Sequence, residues 1–277
     1  MTEYGRQSQW RDTADIDAEK ARELAARLEL RAKSQDEIEA RAAYLDLLGV
    51  QAGERVLDIG CGSGVVTREI AQRVGPGGRV VGVDPSPQFL VVAREVAQAA
   101  GLGEQMEFRE GSALHLPFPD GAFDVAIAVT VLSHTPGGEN AIAEMARVVR
   151  PGGRVGVFDL DTDMTSVTHP DRALTRRIVA AASDATAVDG WLSRRLPQLF
   201  ASAGIEDVRA RGFFPLETDP RGFYASMMER AADIALTVGV ITEAERLGWL
   251  DALHAEQARG PVIAGRLHIF TWGRKPA

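Results

Sequence analysis

The 277-residue sequence has a single cysteine and no long hydrophobic run. Cys61 cannot form a disulfide within the chain, and no stretch approaches the ~20 apolar residues that a membrane-spanning helix requires. The N-terminal stretch MTEYGRQSQWRDTADIDAEK also lacks the apolar segment of a signal peptide. These absences predict a cytoplasmic protein without membrane insertion.

Positive charge is also in short supply. Lysine and arginine together number 31 against 39 acidic residues, which gives a net charge of −8. Proteins that bind a nucleic-acid backbone need a basic surface, so this balance predicts no nucleic-acid partner. The only lysines are Lys20, Lys33 and Lys275, a bias that together with abundant alanine is typical of a GC-rich bacterial genome.

The remaining composition is that of an ordinary globular protein. Hydrophobic residues make up 45% and charged residues 25%, far from the profile of a disordered chain. The length suits one large α/β domain with additions. The sequence leaves the oligomeric state open, a homodimer included.

Strands and helices alternate along most of the chain. Glycine and proline are absent from residues 12–48, which predict one or two helices. Predicted strands follow at 55–59, 79–84, 106–112, 123–132, 154–161, 207–216 and 266–275. Predicted helices lie at 65–74, 86–100, 139–150 and 191–203, with a helical insertion over about 220–258. This alternation predicts an α/β fold, a doubly wound and mostly parallel seven-stranded sheet whose last two strands pair antiparallel at its edge.

Two regions are therefore expected. Residues 1–49 form an N-terminal helical arm or lid, and residues 50–277 form the main domain. Segments at about 162–190 and 217–262 are expected on the substrate side, because ligands of such sheets bind beyond the carboxyl ends of the strands.

A glycine loop follows the first predicted strand in the stretch RVLDIGCGSG at 55–64. The dinucleotide fingerprint G-x-G-x-x-G, started at Gly60, would need a third glycine where Val65 stands. Asp58 would repel a pyrophosphate but suits a ligand with a positive group, and the glycines let the backbone approach a ribose and an amino-acid tail. S-adenosylmethionine has these features. Asp84, at the end of the second strand, is placed to accept from both ribose hydroxyls, a role that NAD enzymes share.

Four blocks in order extend this pattern: VLDIGCGSG, VVGVDPS, GSALHLPFPDGAFDVAIAVTVLSHTP and EMARVVRPGGRV. With them the chain resembles a class I S-adenosylmethionine-dependent methyltransferase of the small-molecule group that includes ubiquinone and menaquinone biosynthesis enzymes. The resemblance is strong over roughly 50–160, and it implies a Rossmann-like methyltransferase fold with S-adenosylmethionine as cofactor.

The resemblance also implies roles for individual residues. The methionine part of the cofactor would be lined by the glycine loop, the ribose would be bound by the second strand's carboxylate, and the adenine and ammonium would meet the neighbouring loops. The residues at the matching positions are Asp58, Gly60, Cys61, Gly62, Asp84, Pro85, Ser112, Ala113 and Val129. Ser112 stands where the family often has an aspartate that accepts from the adenine amino group, so that contact must come from Ser112, neighbouring backbone or water.

His134 is the candidate catalytic residue. It follows the fourth strand at the carboxyl end of the sheet, where a neutral imidazole could take a proton from the acceptor during transfer. The alternative is that His134 caps a helix or only lines the pocket, because alignment alone can suffice for a reactive sulfonium. Cys61 has no neighbouring histidine in sequence and is not expected to be a nucleophile.

Three further features carry open alternatives. Asp159, Asp161 and Asp163 alternate at the end of the fifth strand and could hold Mg²⁺, although a polar rim or helix cap is the expected role, and no metal is predicted. Tyr4 and Trp10 could belong to a lid or to an ordinary packed arm. A late group of residues could form an apolar wall for the acceptor or belong to the core. These residues are Phe223, Tyr224, Met227 and Met228.

We therefore predict an enzyme that transfers a methyl group from S-adenosylmethionine to oxygen, nitrogen or carbon of a small, partly apolar metabolite. One alternative is an NAD(P)-dependent oxidoreductase, which shares the sheet and Asp84. The other is a non-catalytic module that binds S-adenosylmethionine.

Overall fold

An eight-stranded mixed sheet forms the centre of the computed structural model, which describes residues 10–277. The strands are β1 (Arg55–Ile59), β2 (Arg79–Asp84), β3 (Met106–Glu110), β4 (Phe123–Val129), β5 (Val149–Val167), β6 (Glu206–Phe213), β7 (Leu216–Glu217) and β8 (Ala264–Arg274). Across the sheet their order is β3-β2-β1-β4-β5-β8-β6, and β7 pairs with β8. The first five strands run parallel, and β8 pairs antiparallel with β5 and β6. The predicted α/β fold and its antiparallel edge are confirmed.

Nine α-helices surround the sheet in the described residues. They are α1 (Ala18–Ala32), α2 (Gln35–Leu48), α3 (Val65–Val74), α4 (Pro87–Ala99), α5 (Ala141–Val148), α6 (Arg172–Thr186), α7 (Leu192–Ser202), α8 (Phe223–Thr237) and α9 (Glu243–Arg259). Successive strand residues such as Val56 and Leu57 point to opposite faces of the sheet. Helices α2, α3 and α4 cover one face, and α5 and α7 cover the other, so the sheet is doubly wound.

Local capping signals start several of these helices. The side chains of Asp17, Ser34, Ser86 and Asp171 accept hydrogen bonds from backbone N–H groups at the first turns of α1, α2, α4 and α6. Pro87 occupies the first turn of α4, where its missing N–H costs nothing. Short polar signals therefore fix where the chain turns back from the strand ends.

The sheet extends on one side into a two-stranded ribbon. β5 pairs with β4 only as far as Phe158, but its pairing with β8 continues to Val167. Helices α6, α8 and α9 pack together beside this ribbon around Trp249 and Leu253. The ribbon and these helices therefore stand above the carboxyl end of the parallel strands.

Several predicted boundaries were wrong at this carboxyl end. β4 ends at Val129 rather than at residue 132, because Thr130 takes a left-handed conformation (φ 55°) and a 3₁₀ turn, Leu132–His134, follows. β3 ends at Glu110 rather than at residue 112. The chain leaves the sheet early at both places, where a loop must reach over the strand ends.

The later elements also differ from the predicted ones. The helix predicted at 139–150 ends at Val148, because Val149 already pairs with Phe123. β5 begins at Val149, before the strand predicted at 154–161, and continues into the segment 162–190, whose remainder contains α6. The strand predicted at 207–216 is divided into β6 and β7.

The predicted N-terminal arm contains α1 and α2, and its residues 1–9 lie outside the described part of the chain. Leu24 and Ala25 of α1 pack against Phe89 and Val92 of α4. None of the helices between residues 10 and 277 combines the length and apolar content that crossing a membrane requires.

Candidate active site

A cavity of about 500 Å³ opens at the carboxyl end of the parallel strands. All ten residues that the sequence singled out for cofactor binding or catalysis line it: Asp58, Gly60, Cys61, Gly62, Asp84, Pro85, Ser112, Ala113, Val129 and His134. The fold therefore brings together in one cavity positions that are up to 76 residues apart along the chain.

The cavity has two sides. The glycine-loop side is formed by lining residues within 58–66, 84–89, 111–114 and 129–131. The ribbon side consists of Glu37, Phe158, Leu160, Arg266, His268 and, from α8, Phe223, Tyr224, Met227, Arg230, Ala231 and Ile234. Arg31 of α1 lies between them, since its guanidinium contacts Glu37 and reaches Thr130 Oγ1 at 3.5 Å.

The glycine loop owes its shape to positive φ angles. Gly60, Gly62 and Gly64 have φ of 67°, 51° and 79°, a region that residues with a Cβ rarely adopt. A Cβ on Gly60 would lie 2.3 Å from Cγ2 of Val131, so the backbone could not keep its place. The amides of Gly60 and Cys61 donate to the carbonyl oxygen of Val83, at 2.7 and 3.0 Å, which fastens the loop to β2.

Two buried carboxylates flank this loop. Asp58 Oδ2 accepts a hydrogen bond of 2.6 Å from Thr67 Oγ1, and the two carboxylate oxygens of Asp84 accept from the amides of Gly62 and Ser86, each at 2.9 Å. Within residues 10–277 neither carboxylate has a cationic partner. Both can still accept hydrogen bonds from a ligand.

Burial changes the acidity of both groups. It raises the pKa of Asp58 to about 7, more than the hydrogen bond from Thr67 lowers it, and it raises the pKa of Asp84 to about 6. A cation or hydroxyl donor placed between them would therefore favour their charged forms. These carboxylates fit a ligand that carries an ammonium group and a ribose.

The neighbouring predicted residues take more peripheral places. Pro85 lies between Asp84 and Ser86, the N-cap of α4, and Ser112 Oγ accepts a hydrogen bond of 3.2 Å from the amide of Leu114. Val129 is the last residue of β4, and the chain turns after it at Thr130, whose φ is 55° and whose amide donates to the Phe158 carbonyl at 2.7 Å. The rim around the loop is thus formed by strand ends and by backbone.

Cys61 forms part of the cavity wall and is 8% exposed. Burial is the largest cause that raises the pKa of its thiol well above the ordinary value, and the charges of Asp84 and Asp58 add to it. The thiolate, which is the reactive form, is therefore suppressed. This agrees with the expectation that Cys61 is not a nucleophile.

His134 lies on the 3₁₀ turn after β4 and faces the cavity. Burial lowers the pKa of His134 to about 4, with a further contribution from the charge of Arg266. The imidazole is therefore neutral at pH 7, as a proton acceptor must be, but it is a weaker base than an ordinary histidine. Its catalytic role stays a prediction.

The three aspartates of β5 serve the protein's own structure. Asp159 accepts from the amide and hydroxyl of Ser133, at 3.0 and 2.7 Å, and so holds the turn that carries His134. Asp161 forms a bidentate ion pair with Arg194. Asp163 accepts one hydrogen bond from a side chain of α6 and one from a side chain at the start of α7. In the described residues, no group of three or more histidine, cysteine, aspartate or glutamate side chains is arranged to hold a metal ion.

A buried polar network on the ribbon side was not predicted from the sequence. Arg31 donates to both carboxylate oxygens of Glu37, at 2.8 and 3.2 Å, and Tyr224 Oη donates to Glu37 at 2.7 Å. Burial alone would raise the pKa of Glu37, but the charge of Arg31, the charge of His268 and the hydrogen bonds from Arg31 and Tyr224 together outweigh it and lower that pKa to about 2. His268 stacks on Phe158, with ring centroids 5.0 Å apart, and burial lowers its pKa to about 3. These residues come from α1, α2, α8, β5 and β8, and no local motif connects them.

The late group of residues is divided between the cavity and the core. Phe223, Tyr224 and Met227 line the cavity, whereas Met228 is 1% exposed in the core beside Trp249. Among the aromatic residues considered for a lid, Trp10 lines the cavity and stacks on Phe89, and Tyr4 lies outside the described residues.

Comparisons with known proteins show which family the chain is similar to. Residues 56–153 match the family described as Methyltransferase domain. The chain is 30% identical over 225 residues to an uncharacterized 37.1 kDa protein in a transposon of Streptomyces fradiae. This alignment covers 81% of this chain and 63% of that protein. It is 40% identical over 115 residues to a ubiquinone/menaquinone biosynthesis C-methyltransferase of Hahella chejuensis, covering 42% of this chain and 46% of that enzyme.

A solved structure extends the likeness over nearly the whole chain. Phosphoethanolamine N-methyltransferase 2 of Haemonchus contortus, in complex with phosphomonomethylethanolamine and S-adenosylhomocysteine, superposes with a TM-score of 0.62 at 18% identity. The superposition covers 98% of this chain and 61% of that one. At this identity the likeness shows the fold alone.

The chain spans less than two thirds of the length of the curated relatives described above, 63% of the first and 46% of the second. The family match coincides with the glycine loop and both buried carboxylates. It confirms the resemblance to class I methyltransferases over residues 56–153, and the sheet to which these residues contribute is Rossmann-like.

Proposed function

We propose that the protein transfers the methyl group of S-adenosylmethionine to an oxygen, nitrogen or carbon atom of a small, partly apolar metabolite. The observation that carries this proposal is the pair of buried carboxylates, Asp58 and Asp84, beside a glycine loop that has no room for a Cβ. Both belong to the methyltransferase domain, and the cavity continues from them to an apolar side.

The residues on the glycine-loop side fit the cofactor. Asp58, which has no cationic partner in the described part of the chain, would face the ammonium of the methionine part, and Asp84 would accept from the ribose hydroxyls. Pro85 would meet one face of the adenine. The remaining predicted contacts are Ser112 and Ala113 near the adenine, the Val129 carbonyl toward the ammonium, and Gly60, Cys61 and Gly62 along the methionine part.

The bound cofactor supplies an activated methyl group on a sulfonium. The protein's own part is to orient the acceptor for an in-line approach and to exclude water, for which proximity alone can supply a large share of the rate. His134 is neutral and faces the cavity, so it can take a proton from the acceptor. Asp159 holds Ser133, and with it the turn that places His134.

The acceptor is proposed to be small because the cavity of about 500 Å³ must take it together with the cofactor. Phe158, Leu160, Met227 and Ile234 give this cavity apolar walls. The relative from Hahella chejuensis is named for quinone biosynthesis, which supports an apolar small-molecule acceptor here.

The oxidoreductase alternative fits the site less well. A pyrophosphate in the glycine loop would lie near Asp58, and Val65 stands where the dinucleotide fingerprint needs its third glycine.

We also propose a bacterial, cytoplasmic setting without a nucleic-acid partner, supported by the arginine-rich, net acidic composition. A homodimer is left to measurement of the mass in solution.

Thermal unfolding with S-adenosylmethionine, S-adenosylhomocysteine or NADH tests the proposal. At ~100-fold excess over its Kd a ligand adds about 2.7 kcal/mol, which raises the Tm by roughly 5–10 °C at this length. We expect a shift with the first two ligands only. A shift with NADH alone would overturn the assignment, and tight S-adenosylmethionine binding without methylated product across a broad acceptor panel would indicate a non-catalytic module.

A further inference from the structure

The charges around the cavity differ from those of the whole chain. The protein carries a net charge of −8, yet arginines outnumber acidic residues two to one along the cavity wall. The arginines are Arg11, Arg27, Arg31, Arg41, Arg230 and Arg266, and the acidic residues are Glu37, Asp58 and Asp84. Since S-adenosylmethionine carries a sulfonium and an ammonium against one carboxylate, the cofactor adds to this excess of positive charge.

Arg266 lies on the ribbon side and has no carboxylate ion pair within residues 10–277. Arg31 faces Glu37 at 2.8 Å and Arg41 faces Glu69 at 3.8 Å, but within residues 10–277 no carboxylate forms an ion pair with Arg266. Asp161, whose charge acts on Arg266, is already held in a bidentate pair by Arg194.

The hydrogen bonds of Arg266 leave its outer end available. Its Nε donates to Thr165 Oγ1 at 3.0 Å, which fixes the side chain across the β5–β8 ribbon. In the described part of the chain, its two terminal Nη groups have no hydrogen-bond acceptor, and the residue lines the cavity. Burial lowers the pKa of Arg266 to about 10, so the group stays charged at neutral pH. A partly desolvated cation of this kind is costly unless a ligand compensates it.

We propose that Arg266 binds an anionic oxygen group, a carboxylate or a phosphate, on the methyl acceptor. The planar guanidinium, fixed at Nε, presents two N–H groups that suit bidentate binding of such an anion. The apolar side chains of Phe158, Leu160 and Met227 surround the same side and would cover the rest of the molecule. The acceptor is therefore an amphiphilic acid, an inference that rests on the proposed methyl transfer.

The same anion could in principle be the carboxylate of the cofactor. Arg266 lies on β8, separated from the glycine loop by β5 and β4 in the order of the sheet. Arg31 is closer to that loop, since it reaches Thr130 at the end of β4. The geometry therefore assigns Arg266 to the acceptor, and the experiment below measures cofactor binding separately.

The test uses the protein saturated with S-adenosylhomocysteine. Phenylacetate, phenyl phosphate and the neutral phenylacetamide are titrated separately, and binding is monitored by ligand-observed NMR. We expect at least one of the anions to bind about tenfold more tightly than the amide. The better anion identifies the group as carboxylate or phosphate. Equal binding of the amide and both anions would overturn the proposal.

Three variants test whether the preference for the anion depends on Arg266. Arg266→Gln should abolish the preference for the anion, and Arg266→Lys should retain part of it because the charge remains without the fork. Arg274→Gln removes an exposed arginine from the other end of β8 and should leave the preference intact. If Arg266→Gln fails to fold, as judged by its circular dichroism, the Lys variant alone decides, since an unchanged preference there contradicts bidentate binding.

Binding of S-adenosylhomocysteine, measured calorimetrically in each variant, separates the two proposals. An equal loss of cofactor and anion affinity in Arg266→Gln would assign the residue to the cofactor and overturn the inference. Failure of the unmodified protein to bind S-adenosylhomocysteine would instead contradict the proposed function. The anion preference would then be measured in the protein without S-adenosylhomocysteine.

Discussion

One side of the cavity is built from a single stretch of sequence and the other from segments spread over the whole chain. On the glycine-loop side, residues 58–131 supply the loop, two carboxylates and the strand ends. On the ribbon side, Glu37, Phe158, Tyr224 and Arg266 meet only after the chain has folded. Within residues 10–277, the carboxylates of the first side have no cationic partner and Arg266 on the second side has no carboxylate partner, so each side presents a charge for a different ligand.

Breaking the ion pair of the ribbon side should have the largest effect on stability. Glu37→Gln leaves Arg31 charged and buried without its bidentate partner, and we expect it to cost about 3 kcal/mol in the free energy of unfolding at pH 7. Denaturant unfolding without ligand measures this loss. Glu243→Gln, which removes one partner of the exposed pair with Arg246, is the control and should change little. Equal losses in the two variants would contradict the view of this network as a buried, stabilising one.

Blocking the glycine loop should act on cofactor binding instead. In Gly60→Ala the new Cβ would lie 2.3 Å from Val131 at a φ of 67°, so we expect the loop to shift and the affinity for S-adenosylhomocysteine to fall about a hundredfold. Gly101→Ala has a similar φ of 72° but no atom within 4 Å of its Cβ, and lies outside the cavity. The control should therefore lose some stability without losing affinity, and calorimetric titration distinguishes the two.

Removing the carboxylate that is proposed to bind the ribose should also weaken cofactor binding on the glycine-loop side. Asp84→Ala deletes both acceptors proposed for the ribose hydroxyls, together with bonds to the amides of Gly62 and Ser86. We expect a loss of about 30-fold or more in affinity for S-adenosylhomocysteine, since hydrogen bonds to charged groups contribute about 1.5–3 kcal/mol. Asp120→Asn, an exposed aspartate outside the cavity, should bind normally. Unchanged affinity in Asp84→Ala would remove the ribose assignment.

The difference between the two sides also explains what the sequence could and could not predict. Asp58, Gly60, Gly62 and Asp84 lie at the ends of two short strands, where period and turn chemistry are local properties. The parallel part of the sheet follows from the alternation of strands and helices. The core of the fold and the glycine-loop side were therefore predictable.

The ribbon side depends on pairing over long distances. β5 was expected to end at residue 161 but continues to Val167, because β8 pairs with it beyond the sheet. That extension places Arg266 opposite Thr165, and nothing within ten residues of either one indicates the contact. Glu37 lies in α2 among exposed charges, and its burial depends on Tyr224, 187 residues away.

The pH should affect the glycine-loop side and leave the ribbon side unchanged between pH 6 and 8. The folded protein keeps protons on Asp58 and Asp84 at pH values where the unfolded chain has released them, because burial raises their pKa values to about 7 and 6. Stability of the unliganded protein is therefore lost as the pH rises through this range. Affinity for S-adenosylhomocysteine should show the opposite trend and fall about tenfold from pH 8 to pH 6, as the carboxylates are protonated.

Calorimetric titration and denaturant unfolding over this range measure both trends. Asp58→Asn cannot titrate at residue 58 and should show a smaller pH effect in each, since only Asp84 remains. Parallel trends in affinity and stability would contradict the assignment of these carboxylates to the cofactor.

His134 lies where the two sides meet and should give the smallest effect. Because burial and Arg266 hold its pKa at about 4, it accepts a proton only weakly, and we expect His134→Ala to lower kcat about tenfold, below the ~10²-fold or more that well-matched bases contribute. The measurement is methyl transfer to an acceptor found by screening, with the exposed His115→Ala as control. Rescue of kcat in the alanine variant by added imidazole would identify His134 as the base. Full activity without imidazole would leave alignment of the acceptor as the protein's whole contribution, since the neutral imidazole would then be dispensable.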